Sequence, residues 1–232
     1  MSDNKNLVVK NQGFEVKLSN EIFEELVNLD GGLERVKIPA GGGTTFEFPN
    51  LENAEDTVSV REFSAVILLH HPLSLYYKEK YNGTTVSPDC MSLNGTVGNT
   101  GKLCKNCKHN QFGSGENGGK ACKSKEQLYI LREGDVFPIA ILLPTGSVKV
   151  FHTYVRRLLY RGKKSSGVVT KFSLKRTVNK TGIAYSQVNF TVERDLQKTE
   201  LEDIKSLIEK MKTFAQEAKR DGLQTSDNDS GN

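Results

Sequence analysis

The sequence lacks any apolar run that approaches the roughly 20 residues a helix needs to cross a bilayer. Its opening residues, MSDNKNLVVK, also lack the apolar core of a signal peptide. These absences predict a protein without a membrane span that resides in the cytoplasm, where thiols stay reduced. With 36% hydrophobic and 26% charged residues, the 232-residue chain has the composition of a folded protein of one elaborated domain or two small ones.

The signatures of common enzymes are missing as well. There is no Gly-rich phosphate loop of the form GxxxxGK[ST], and no Ser/His/Asp or Cys/His arrangement stands out. The four histidines, at positions 70, 71, 109 and 152, form no recognisable set. Only six acidic residues lie between positions 65 and 192, so two-metal nuclease chemistry is poorly supplied with carboxylates. We therefore expect a protein that is not an enzyme, with a metal-dependent nuclease as the enzymatic alternative.

Acidic residues are scarce in the middle of the chain and concentrated toward its ends. Residues 1–64 carry 6 basic and 12 acidic side chains, residues 65–192 carry 19 and 6, and residues 193–232 carry 7 and 10. A basic body between acidic flanks is typical of proteins that bind polyanions. The acidic C-terminal region is then expected to recruit replication or recombination proteins, or to shield the basic body. Uneven charge without a binding role is the simpler alternative.

Cysteine is rare, and every cysteine falls in residues 82–125, a segment without apolar periodicity. The spacing is C-x13-C-x2-C-x14-C. A C-x2-C step lets two thiolates reach one ion, and two further thiolates complete a tetrahedron around zinc. We expect one structural Zn²⁺ that orders this segment, held by Cys90, Cys104, Cys107 and Cys122. A [4Fe–4S] cluster, a redox pair or unrelated thiols are the alternatives, and His109 is a poorer candidate ligand.

Hydrophobic periodicity predicts a mainly β protein with helices. Apolar or alternating segments of strand length occupy residues 65–71, 127–132, 136–143, 168–175 and 183–192. Between the third and fourth of these, apolar residues recur at helical spacing over residues 148–161, with Ser147 as the N-cap. This order is that of an OB-fold, a five-stranded barrel that commonly has a helix between its third and fourth strands.

The same patterns divide the chain. We expect an OB-fold-like domain over residues 64–192, with the cysteine segment as an insertion at 82–125. Residues 1–63 would form an N-terminal extension with strands and a short helix over residues 20–29. An amphipathic C-terminal helix over residues 193–220 would precede a disordered tail, residues 221–232.

Residues 149–176 contain nine basic residues and no acidic one. Single-stranded nucleic acid is bound by a positive groove for phosphates together with aromatic rings on which bases stack. We expect phosphates to contact Lys149, Arg156, Arg157, Arg161, Lys163, Lys164, Lys171 and Lys175. Bases would stack on Tyr76, Tyr77, Phe112, Tyr129, Tyr160 and Tyr185. The alternative for each ring is a place in the core.

The middle of the chain also carries a series of short motifs. They are Cys104-Lys-Asn-Cys107, Asn110-Gln-Phe-Gly-Ser114, Gly119-Lys-Ala-Cys122, Leu128-Tyr-Ile-Leu-Arg132, Phe137-Pro138 and Leu143-Pro144. Together they resemble a group of single-stranded DNA-binding proteins from bacteriophages and mobile elements, over about residues 64–192, and the motif at 110–114 is the most distinctive. The resemblance implies an OB-fold with an inserted zinc loop, a sequence-tolerant role in phage-type DNA replication or recombination, and residence in the host cytoplasm.

A function from a different class stays open. The cysteine segment could belong to a zinc-ribbon interaction factor that binds or inhibits host transcription or defence machinery. Retention of a short oligonucleotide by the purified protein distinguishes the two.

Overall fold

A computed structural model describes Glu25, Asn53 and residues 33–50, 56–79, 87–179 and 181–224, with side chains of the last helix described as far as Lys212. Apart from Glu25, the helix predicted over residues 20–29 lies outside the described residues. The same holds for residues 225–232 of the predicted tail.

The described residues form nine strands and two helices, which confirms the prediction of a mainly β protein with helices. In chain order they are β1 (Arg35–Val36), β2 (Phe46–Pro49), β3 (Thr57–Val60), β4 (Glu62–Tyr76), β5 (Cys90–Ser92), β6 (Lys123–Arg132), β7 (Ile139–Leu143), α1 (Thr145–Leu159), β8 (Val168–Val178), β9 (Ala184–Asp195) and α2 (Lys198–Gln224). Helix α2 thus continues through residues 221–224, at the start of the predicted tail.

Two element starts differ from the prediction for local reasons. Strand β7 begins at Ile139 rather than at residue 136, directly after Pro138, which has no N–H to donate to a ladder. Helix α1 begins at Thr145 with Pro144 as its N-cap, so the expected Ser147 cap is wrong. Ser147 is buried inside the helix, where its hydroxyl accepts a hydrogen bond of 2.9 Å from the backbone N–H of Val188.

Seven of the strands form one sheet in the order β1-β7-β6-β4-β8-β9, with β5 paired to the end of β4. The sheet curls into a half-barrel, and β2 and β3 form a separate hairpin. Strand β4 is central because it pairs with β6 over residues 65–75, with β8 over residues 62–66 and with β5 over residues 74–76. Among the described residues, β1 and β9 are the edges of this sheet.

The sheet is covered on both faces, which we name the α1 face and the α2 face after the helix that packs on each. Along β4, Ala65 and Ile67 enter the cluster under α1, whereas Val66 and Leu68 enter the cluster under α2. A strand buried on both faces is apolar without interruption, which accounts for the run at residues 65–69. Helix α1 completes its cluster with Phe151, Tyr154 and Leu158.

Two neighbouring leucines of α1 test this packing. Leu158 is 2% exposed in the core, and Leu159 is 59% exposed. We expect Leu158→Ala to lower the free energy of unfolding by about 2–5 kcal/mol, because it removes buried methyl groups and leaves a cavity. Leu159→Ala should change it by less than about 0.5 kcal/mol. Urea denaturation followed by circular dichroism measures both, and equal losses would contradict the described orientation of α1.

Candidate nucleic-acid interface

Alternation along β6 sets out a row of residues on the α1 face. Leu128 and Ile130 belong to the cluster under α1, so Glu126 and Ser124 face the same way. Cys122 directly precedes the strand, and same-face neighbours lie about 7 Å apart. On the α1 face, the residues of β6 therefore run from the core, through the carboxylate of Glu126, to the cysteine segment.

The four predicted zinc ligands line one cavity of about 180 Å³ at the end of this row. Cys90 begins β5, Cys104 begins a single 3₁₀ turn that Cys107 caps, and none of the four cysteines is in a disulfide. Within the described ranges, no group of three or more His, Cys, Asp and Glu side chains stands in metal-holding geometry. The structure thus brings the thiols to one cavity, and the zinc ion itself stays a prediction.

The thiols influence one another electrostatically. Burial raises the pKa of Cys122, the charges of Cys104, Cys107 and Cys90 raise it further, and Lys120 lowers it in part. A thiol surrounded by other thiols therefore gives up its proton reluctantly unless a cation neutralises the group.

The motif at residues 110–114 has a clear structural role. Asn110 donates a 2.8 Å hydrogen bond from Nδ2 to the carbonyl of Cys104, and Gln111 donates one of 3.2 Å from Nε2 to the carbonyl of Lys105. The hydroxyl of Ser114 accepts a bond of 3.1 Å from the N–H of Ala121. We call the segment between Cys90 and Cys122 the cysteine loop. The three hydrogen bonds join the motif to residues that precede it and to a residue that follows it in this loop.

Phe112, the aromatic residue of the motif, is directed outward. Its ring is 83% exposed, with Lys120 Nζ 5.0 Å from the ring centroid. Tyr76, in contrast, stacks on His109 with ring centroids 3.9 Å apart and forms part of the wall of the cysteine cavity. Phe112 is therefore better placed than Tyr76 to stack on a base.

A groove of about 330 Å³ lies between α1 and the start of β6, beside the cysteine loop, and we call it the α1 groove. The hydroxyl of Thr145 donates a 2.8 Å hydrogen bond to the carbonyl of Ser124, which holds the two elements together. Lys149, His152 and Arg156 line the α1 groove from one side of the helix. In the part of the chain that the structure describes, no carboxylate forms an ion pair with Lys149 or Arg156.

Beneath the α1 groove, one carboxylate connects two histidines. Glu126 is 2% exposed, and its Oε1 lies 2.8 Å from His70 Nδ1 while its Oε2 lies 3.2 Å from His152 Nε2. Burial raises the pKa of Glu126, but hydrogen bonds from His70 and His152 and their charge outweigh it, so the pKa falls below its ordinary value. Glu126 is therefore a carboxylate at neutral pH.

This cluster was not predicted from the sequence, because its members come from three separate elements, β4, β6 and α1. The expectation that the histidines form no set is wrong for His70 and His152, which share Glu126. One signal was available: Glu126 is a charged residue on the face of β6 that Leu128 and Ile130 bury.

The other residues predicted to contact nucleic acid divide between the α1 face and the α2 face of the sheet. Arg157, Tyr160 and Arg161 are exposed on α1 or directly after it, and Tyr160 is 84% exposed. Tyr185 packs against Gly146 in the first turn of α1, where an added Cβ would overlap its ring. Tyr77 is exposed just beyond the end of β4.

Other predicted residues lie on the α2 face. Lys171 and Lys175 point away from α1 because their neighbour Phe172 is in the core beneath it. Tyr129 packs with the cluster under α2, and burial raises its pKa. Lys163 and Lys164 line a cavity of about 660 Å³ beside α2.

Two of these lysines also have carboxylate partners. Lys163 pairs with Asp195 at 2.7 Å, and Lys171 pairs with Glu62 at 2.6 Å. The structure therefore brings Lys149, Arg156 and their neighbours on α1 together and places the other predicted lysines elsewhere.

No protein family, curated protein or solved structure matches this chain. Neither of the described helices is long and apolar enough to cross a membrane. The resemblance to phage single-stranded DNA-binding proteins therefore stays a prediction, and a functional argument has to rest on the geometry of the α1 face.

The carboxylate cluster has a measurable effect on stability. We expect Glu126→Gln to lower the free energy of unfolding by about 1–3 kcal/mol at pH 7, because two histidines lose a buried charged acceptor. Since the pKa of Glu126 is lowered in the folded state, this advantage is present above the unfolded value of about 4.3 and is lost as pH falls through the folded value. Urea denaturation at pH 7 and pH 3 measures the difference.

The matched control is Glu133→Gln, in the exposed turn after β6, which should change stability by less than about 0.5 kcal/mol. A deficit for Glu126→Gln of the same size at both pH values would contradict the role given to the carboxylate.

Proposed function

We propose that this chain is a non-enzymatic, sequence-tolerant single-stranded DNA-binding protein that acts in phage-type DNA replication or recombination. The observation that carries the proposal is the α1 groove, whose lysine and arginine have no carboxylate partner among the described residues and which lies beside a loop with an exposed ring. Cations for phosphates next to rings for bases are what an unpaired strand requires.

The proposed path of the strand follows α1. Lys149 and Arg156 contact phosphates within the α1 groove, and Arg157 and Arg161 extend the positive surface toward the end of the helix. Phe112 and Tyr160, both more than four-fifths exposed, supply the stacking surfaces. Each stacked base contributes about 1–3 kcal/mol in such complexes.

The topology supports an OB-like domain as the scaffold. Strands β4, β6 and β7 form an antiparallel meander, α1 follows, and the β8–β9 hairpin returns to pair with β4. That order, with a helix between the third and fourth strands, is the arrangement of an OB-fold. We propose that β1, added in parallel to β7, extends this scaffold.

We further propose that the cysteine loop binds one structural Zn²⁺. Four thiol groups in one cavity form a donor set that suits zinc. The ion would stabilise the loop and leave the chemistry of the α1 groove to side chains. Its binding would also overcome the electrostatic cost of ionising Cys122 beside three other thiols.

The acidic C-terminal region is proposed to recruit replication or recombination proteins. The described part of α2 packs through Ile204, Leu207 and Met211 on the face opposite the α1 groove. That placement favours recruitment over shielding of the groove by this helix.

Exposed apolar residues favour a second candidate, the zinc-ribbon interaction factor. Val97, Leu103 and Phe112 all lie exposed on the cysteine loop, where a protein partner could cover them. A protein of that kind would not retain a short oligonucleotide in a gel shift.

The strand-binding proposal is tested with the double variant Lys149→Ala/Arg156→Ala. We expect its affinity for single-stranded DNA to fall at least about tenfold at low salt, because two charge-assisted contacts are lost. The slope of log affinity against log salt should decrease by about 0.7 for each lost contact. Fluorescence anisotropy against single-stranded and duplex oligonucleotides of equal length, at two salt concentrations, measures both quantities.

The control double variant, Lys163→Ala/Lys171→Ala, removes two lysines from the same basic stretch that already pair with carboxylates. Its affinity should stay within about twofold of the unmodified chain, since exposed ion pairs leave little net charge to attract phosphate. A wild-type affinity that hardly changes between low and moderate salt, or equal losses in both double variants, would count against the α1 groove.

The metal proposal is tested by elemental analysis of protein purified without chelators. We expect about one zinc per chain, and loss of most of it in Cys107→Ser, because three thiolates hold zinc less well than four. The control His109→Ala removes a cavity-lining side chain that is not a proposed ligand and should retain the ion. Iron in place of zinc, or a chain without metal, would overturn the assignment.

A further inference from the structure

We propose that Lys149, His152 and Arg156 form a phosphodiester-binding subsite that takes up a proton when it is filled, with Glu126 as the positioning residue for His152. The inference deepens the proposed function and rests on it. It assigns a binding role to a histidine outside the residues expected from the sequence.

The hydrogen-bond pattern decides which ring nitrogen faces the ligand. An ionised carboxylate only accepts hydrogen bonds, so His70 Nδ1 and His152 Nε2 must both carry hydrogen where they meet Glu126. The other nitrogen of His152, Nδ1, then remains for the α1 groove, which this half-exposed ring helps to line. In the neutral ring Nδ1 is an acceptor, and after protonation it is a donor.

The position of His152 on the helix makes it part of the basic surface. Lys149, His152 and Arg156 are three and four residues apart, the spacings at which helical side chains share a face. Over seven residues the helix rises about 10 Å, which is enough for a nucleic-acid backbone to meet all three side chains. Because each of these groups donates when charged, the matching ligand is an oxyanion such as a phosphodiester.

The charges around His152 make its protonation depend on the ligand. From α1, Lys149 and Arg156 oppose a further positive charge, and so does His70 on β4 when it is protonated. From β6, the buried carboxylate of Glu126 favours a positive charge on His152. An arriving phosphate adds negative charge on the groove side, so phosphate binding and protonation reinforce each other. Because the two binding events are thermodynamically linked, lower pH must then tighten phosphate binding by the same factor by which phosphate favours protonation.

Glu126 has a second consequence for the subsite. Both of its oxygens are engaged by histidines, and the side chain is buried. Glu126 therefore balances the charge of the two histidines and forms no ion pair with Lys149 or Arg156. The two cations stay available to a ligand.

The test is a fluorescence-anisotropy titration of the full chain with an oligothymidylate at pH 6 and pH 8, at constant ionic strength. We expect the wild type to bind about three- to tenfold more tightly at pH 6, because a histidine changes charge in this interval and one linked proton gives at most about tenfold per pH unit. His152→Gln should bind more weakly than the wild type at pH 6 and lose the pH dependence. His152→Lys should bind at both pH values about as tightly as the wild type at pH 6.

The matched control is His71→Gln, because His71 is the chain neighbour of His70 and lies against Tyr129 on the α2 face. It should retain the full pH dependence. A wild type that binds without pH dependence, or a His152→Gln variant that keeps it, overturns the subsite and leaves the proposed function standing. A wild type that does not bind the oligonucleotide at either pH overturns the proposed function as well.

A second measurement on the wild type decides the case if His152→Gln fails to fold by circular dichroism. Calorimetric titration at pH 7 in two buffers of different ionisation enthalpy gives the number of protons taken up on binding. We expect a measurable uptake for the wild type and for His71→Gln, and almost none for His152→Lys. Binding heats of the wild type that do not depend on the buffer would overturn the proposal.

Discussion

The antiparallel pairing of β4 with β6 decides which side chains meet on the α1 face. Their register runs from Ala65 opposite Arg132 to Leu75 opposite Lys123. Because side chains alternate along a strand, a slip of one residue would move every member of a row to the other face. The backbone hydrogen bonds of this pairing thus place three features on one face. They are the core residues of β6, the carboxylate of Glu126 and the end of the strand next to the cysteine loop.

A single irregularity in this pairing decides which of the two neighbouring histidines, His70 or His71, lies beside Glu126. The register shifts between Ile67 and Leu69, so Leu68 is an additional residue on β4. Before the shift odd-numbered residues of β4 face α1, and after it even-numbered ones do, which places His70 beside Glu126. If β4 paired with β6 without this shift, His71 would lie opposite Glu126 on the α1 face, and His70 would face α2. The bulge therefore determines which member of the His70–His71 pair joins the cluster.

The same reasoning explains what could be predicted from the sequence and what could not. Apolar periodicity is local, so strands β4, β6, β7, β8 and β9 and helix α1 were predicted to within a few residues, whereas the short strand β5 was not. The cysteine spacing predicted one shared zinc ion; the structure places the four cysteines around one cavity, and the ion itself stays a prediction. The ion pairs of Lys163 and Lys171 could not be foreseen, because their partners, Asp195 and Glu62, lie on distant strands. A stretch of sequence without acidic residues can therefore still lie beside carboxylates in the folded structure.

The electrostatic arrangement of the α1 groove follows from the depth at which each charge lies. Glu126 is buried and satisfied by two histidines, whereas Lys149 and Arg156 lie at the surface of the groove. A carboxylate at the surface would pair with these cations and compete with a ligand, as Asp195 does at Lys163. A carboxylate buried beneath the groove and occupied by two histidines leaves the hydrogen-bond donors of Lys149 and Arg156 unoccupied. Helix α1 places the two cations on one side, and burial of Glu126 leaves them open to an anionic chain.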